Sequence, residues 1–157
     1  MRDKSFIEQH QGGPLTKQQH QLLMSWACRC AEHVLPYFGE AMDPRLQKTL
    51  EVGKAWAKGE ASVGDARKAS VDCHVVAREV ADAASEAVAR SVGHAVATAH
   101  MADHSLVASM YALKAVAAVG GSVDAERCWQ DAHLPVEIRE LVFSSRSARR
   151  GMCKFFC

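Results

Sequence analysis

Between residues 91 and 113 the chain carries a single formally charged side chain, Asp103, although every other part of it is studded with Lys, Arg, Asp and Glu. A helix so poor in charge is stable only where most of its circumference is covered by other elements. Residues 93–114, GHAVATAHMADHSLVASMYALK, therefore predict the centre of the fold. The stretch is no membrane span, because Gly93, His94, Thr98, His100, Asp103 and His104 interrupt it.

The flanking sequence supplies helices to cover that centre. Thr16 followed by Gln19 is a capping box, and Leu22, Leu23, Trp26, Ala27, Cys30 and Val34 recur on one face behind it, stopped near Pro36. Asp43 and Pro44 open a second helix with Leu46, Leu50, Gly53 and Ala57 inward, closed by Gly59. Ser62 and Asp65 start a third, whose stripe is Val63, Ala66, Ser70, Cys73, Ala77 and Val80. A fourth helix of small residues is predicted over about 83–101, and Asp103 is expected to cap a fifth over about 104–119, ended by Gly120 and Gly121. Ser122 starts a sixth, with Trp129 as its expected anchor, and Pro135 opens a seventh with Ile138, Leu141 and Val142 inward.

The predicted architecture is an all-α, single-domain bundle of six to seven helices around a central Ala-rich helix pair. Residues 1–14 end in Gly12, Gly13 and Pro14 and are expected to form a flexible leader, with Phe6 and Ile7 able to order part of it. The helical domain occupies 15–143. The basic stretch 144–157 lacks periodicity and is expected to fray.

Composition narrows the function classes. Nineteen Lys and Arg against eighteen Asp and Glu leave a net charge of +1, so no global field draws in nucleic acid or an anionic membrane. Arg146, Arg149, Arg150 and Lys154 could form at most a local basic patch. The start has no apolar signal segment, and six irregularly spaced cysteines fit reduced thiols, so a cytoplasmic location is expected. No nucleophile elbow, phosphate loop or paired-carboxylate motif accompanies Ser105, Ser109 or Cys73, which argues against an enzyme of those kinds.

The candidate binding residues are His74, His94, His100, His104 and Tyr111. His100 and His104 stand at i and i+4, a spacing that chelates a divalent metal such as zinc on a continuous helix. A helix boundary at residues 102–103 would splay them, and Met101 occupies the position where a zinc hydrolase of the HExxH type carries Glu. Without a metal, the same residues read as half-buried histidines bonded across helices.

Three segments carry a family resemblance: LTKQQHQLLMSWACRCAEHVLPYF over 15–38, AWAKGEASVGDARKAS over 55–70, and GHAVATAHMADHSLVASMYALKAV over 93–116. In this order they resemble the bacterial proteins catalogued as putative immunity proteins, which are small helical single-domain proteins. The resemblance spans roughly 15–142. It implies a cytosolic protein that binds and neutralises a cognate toxin; no catalytic residues carry over from the family, and no cofactor is expected. The absence of a strong acidic field in a chain with pI near 7.7 speaks against mimicry of a nuclease's substrate. A homodimer through the Ala-rich face is a further expectation. A metal-dependent or small-molecule-binding protein using the central histidines is the alternative function.

Overall fold

In the computed structural model, which describes residues 3–39 and 41–149, the protein is a single all-α domain of seven α-helices. They are α1 (Lys17–His33), α2 (Pro44–Ala57), α3 (Val63–Glu79), α4 (Ala83–Ala97), α5 (His104–Ala118), α6 (Val123–Ala132) and α7 (Val136–Ala148). Three short 3-10 turns, Lys4–Phe6, Gln9–Gln11 and Leu35–Tyr37, complete it. Among the described residues no helix is long and apolar enough to cross a membrane.

The helix starts obey local chemistry. Thr16 Oγ1 accepts from the Gln19 backbone N–H at 3.1 Å while Gln19 Oε1 accepts from the Thr16 N–H at 3.0 Å. Ser62 and Asp65 make the same reciprocal pair, and Asp43, Asp82 and Ser122 each cap their helix through a side-chain oxygen. Gly59 and Gly120 take left-handed φ values of 79° and 74° after α2 and α5, where a side chain would strain the backbone.

Helices α4 and α5 form the centre. On α4, Ala87, Val88, Ala89, Val92, Ala95 and Val96 are all buried, and on α5 so are Leu106, Ala108, Ala112, Ala115 and Val116. Small side chains let the neighbours come close. Gly53 of α2 shows how close: a Cβ there would lie 2.8 Å from Val96 Cγ2 and 2.9 Å from Cys28 Sγ. The small side chains of α4 and α5 are thus largely spent inside the fold. Burial also holds the core thiols protonated, pushing Cys28 up to about 12 and Cys73 up to about 11.

Four expectations need correction. Order in residues 3–14 extends beyond the part that Phe6 and Ile7 were expected to hold: Phe6 is fully buried in the core, and Glu8 also bridges to Leu15. Helix α7 continues through Ala148, well past the point where fraying was expected, and the remainder of the tail lies outside the described residues. Asp103 makes no side-chain cap on α5; its carboxylate accepts instead from Arg149 Nη2 at 3.2 Å, tying the start of α5 to the end of α7. The anchor next to α6 is Trp26 of α1, which is 1% exposed and donates from Nε1 to the Gln130 carbonyl at 3.0 Å. Trp129 is only half-buried, stacked between His33 (centroids 3.6 Å apart) and His133 (4.1 Å). The buried face of α6 is polar: Glu126 meets His33 Nδ1 at 2.8 Å, and Gln130 donates to the Ser109 carbonyl at 3.0 Å.

Candidate functional site

Arg67, Ser70, Val71 and His74 recur at three- and four-residue steps and share one face of α3. Opposite them α4 presents Arg90, His94 and Ala97 at similar spacing. The turn between α4 and α5 brings back His100, and His104 begins α5. A cavity of about 230 Å³ lies between these segments, lined by all four histidines with Arg67 and Ser70 among its other walls.

The crossing of α3 and α4 is held from both sides. Ser70 Oγ donates to the Gly93 carbonyl at 2.8 Å. The His74 ring lies on Gly93 itself, where a Cβ would stand 3.0 Å from Cε1 and 3.1 Å from Nε2. Arg90 Nη1 sits 2.8 Å from His74 Nδ1. A guanidinium only donates, so Nδ1 accepts and the His74 proton resides on Nε2. Here the hydrogen bond fixes a tautomer that the ring alone would leave open.

The remaining rings form a connected row. His74 meets His94 edge-on with centroids 4.8 Å apart. His94 Nδ1 and His104 Nδ1 are 3.0 Å apart, a contact in which one nitrogen donates and the other accepts. Tyr111 lies parallel to His94 at 5.4 Å, and His100 lies 5.4 Å from His104. Burial is the main force keeping the rings neutral, reinforced by positive neighbours. His74 is pulled down to about 4 by desolvation and then Arg90. His94 falls to about 3 through desolvation, His74 and His104. His100 and His104 are lowered by burial too; the largest charge effect on His104 is Asp103, which acts in the opposite sense. Among the described residues His100 Nδ1 is buried with no hydrogen-bond partner, a loss of about 1–3 kcal/mol that marks unspent bonding capacity in the cluster.

The structure thus brings His74, His94, His100, His104 and Tyr111 into one neighbourhood. Within the pair expected to chelate a metal, His100 belongs to the turn and His104 to α5, and the shortest nitrogen contact is made by His94 and His104 instead. Among the described residues no group of three or more His, Cys, Asp and Glu is placed to hold a metal ion. Ser105 and Ser109 donate to the carbonyls of Ala102 and Leu106, three residues before each. The part that Arg67, Arg90 and Gly93 play in the site escaped the sequence reading. The four-residue step from Arg90 to His94, and the Arg67-to-His74 face of α3, were the available signals. A second, larger cavity of about 720 Å³, with Trp56, Glu8 and His20 in its walls, meets the first at His100.

Gly93 gives a direct test of this geometry. In Gly93→Val the added side chain must displace the His74 ring from Arg90, at a cost of roughly 1–3 kcal/mol for overpacking. An NMR titration of the histidine ring protons should show His74 returning toward an ordinary histidine value; an unmoved His74 titration would contradict the packing described.

The fold and the cavity define a small all-α protein with a histidine-lined pocket beside its central helix pair. The chain belongs to the Imm-5 like putative immunity protein family, whose model matches residues 13–137. No curated protein and no solved structure matches it.

Proposed function

We propose that the chain binds and neutralises a toxin protein, acting in the cytosol of the cell that makes it. The observation that carries this reading is the family match over 13–137, which takes in the helical body from the turn before α1 into the first turn of α7. Free Cys28, Cys30, Cys73 and Cys128 are in keeping with a reducing compartment. The test is neutralisation. A protein partner recovered with the chain, expressed alone, should arrest growth, and co-expression of the chain should restore colony formation by several orders of magnitude. Arrest that persists with both proteins present and folded would overturn the reading.

A second reading, a ligand site in the histidine cavity, is supported by the convergence of four rings from α3, α4, the following turn and the start of α5. Perturbed titratable groups gathered in a cleft are a physical signature of functional sites.

A further inference from the structure

The walls of the 230 Å³ cavity contain bases and no acid. Arg67 and His74 come from α3, His94 from α4, His100 from the turn and His104 from α5. Arg90 stands directly behind His74. Arg78 on α3 and Arg149 beyond α7 add positive charge felt by His74 and His104. Tyr111 and Lys114 on α5 complete the surroundings, with Lys114 Nζ 4.7 Å from the Tyr111 ring centroid. Asp103, the carboxylate that acts on His104, is already ion-paired with Arg149.

Such a wall disfavours a cation. Two arginines stand at it, and no carboxylate lines it to offset the charge of a metal ion. It suits an anion well. The Arg67 guanidinium is exposed, the His74 tautomer leaves Nε2–H as its donor, and the His94–His104 pair holds a proton that can be redirected. The cavity is smaller than the roughly 300–1,000 Å³ of sites for drug-sized molecules. It has room for one small group.

We propose that the cavity bounded by α3, α4 and the start of α5 binds a phosphoryl oxyanion, with Arg67, His74, His94 and His104 as its donors. The group arrives as free inorganic phosphate or as the terminal phosphate of a small phosphomonoester. Its negative charge offsets the repulsion that a protonated ring meets from Arg90 and the neighbouring histidines, so anion binding and histidine protonation reinforce each other. This inference rests on the ligand-site reading of the cavity and is independent of toxin binding.

The test uses the full chain and no protein partner. Histidine ring signals are followed by NMR as sodium chloride is replaced by inorganic phosphate at constant ionic strength and pH 7, with methyl phosphate as the second probe. The expected result is a saturable shift of the His74, His94 and His104 signals at pH 7 and, in pH titrations run with and without saturating phosphate, at least a tenfold rise in the proton affinity of His94. Binding of both probes would show that an ester can enter; binding of phosphate alone would assign the site to the free ion. Arg67→Gln removes an exposed side chain, so the fold is expected to persist, and should weaken binding about tenfold or more. Absence of a saturable shift with both probes, or an unchanged affinity in Arg67→Gln, would overturn the proposal. So would stoichiometric zinc binding at the same rings that phosphate fails to perturb.

Discussion

Replacing Trp26 with alanine is expected to destabilise the protein by about 3–5 kcal/mol, the range for truncating a large buried aromatic side chain. Trp26 is 1% exposed and sits where α1 meets α5 and α6. Its loss opens a cavity in a core otherwise built largely of Ala, Val and Cys, whose short side chains have little reach with which to fill it. It also removes the indole donor at 3.0 Å from the Gln130 carbonyl, which keeps the His133 backbone N–H at 3.2 Å. The effect is a large share of the roughly 5–15 kcal/mol that a domain has in total. Urea unfolding of Trp26→Ala and Trp26→Phe checks it. Phenylalanine keeps most of the volume and loses the hydrogen bond, so its cost should be nearer 1–2 kcal/mol. A change below about 1 kcal/mol in the alanine variant would mean that Trp26 is not the anchor described.

The second large effect is acid destabilisation that begins at mildly acidic pH. His74 and His94 are depressed in the folded protein from 6.5 to about 4 and about 3, while the unfolded chain titrates near 6.5. Between those values the unfolded state binds more protons, so stability rises with pH across the window and is lost as pH falls through it. No such penalty applies above about pH 7. By pH 5 the loss should be on the order of 2–3 kcal/mol, after discounting for the partial exposure of both rings and for their coupling. The capping carboxylates Asp43, Asp65 and Asp82 are held below their ordinary value of 3.8, so their contribution is lost only at lower pH. Urea midpoints at pH 7.5 and pH 5 separate the two. The double variant His74→Gln, His94→Gln should flatten the dependence in that window. An unchanged slope would place the acid sensitivity elsewhere.

The secondary structure was legible because its signals are local. Capping boxes at Thr16 and Ser62, the Asp43–Pro44 start and the glycines after α2 and α5 depend only on residues within one or two turns. The charge-poor stretch identified the centre for a similarly simple reason, since a buried helix has nowhere to hydrate ionised groups. The sequence misled where a residue had two possible partners. Asp103 stands before a helix and looks like a cap, but an ion pair with Arg149, distant in sequence, takes its carboxylate. Trp129 lies in an amphipathic helix and looks like an anchor, but the face of α6 that turns inward carries Glu126 and Gln130.

The histidine set was legible as a list and not as a geometry. Helical spacing favoured His100 with His104, whereas the turn between α4 and α5 brings His94 and His104 into nitrogen contact across ten residues of chain. His74 enters only through the crossing of α3 on α4, which Ser70 and Gly93 set. Nothing in the local sequence announces that crossing. Arg90 was hidden for the same reason: its role depends on a ring from another helix.

The reading of this chain as an immunity protein is tested most directly by a native mass spectrum of the protein drawn gently, at low salt, from the cells that make it. One spectrum reports subunit count, bound small groups and any tightly held partner. The account predicts a stoichiometric complex with one other protein, which then enters the growth assay as the toxin. A chain that flies only alone, or only with copies of itself, from cells in which it is abundant and folded would contradict it.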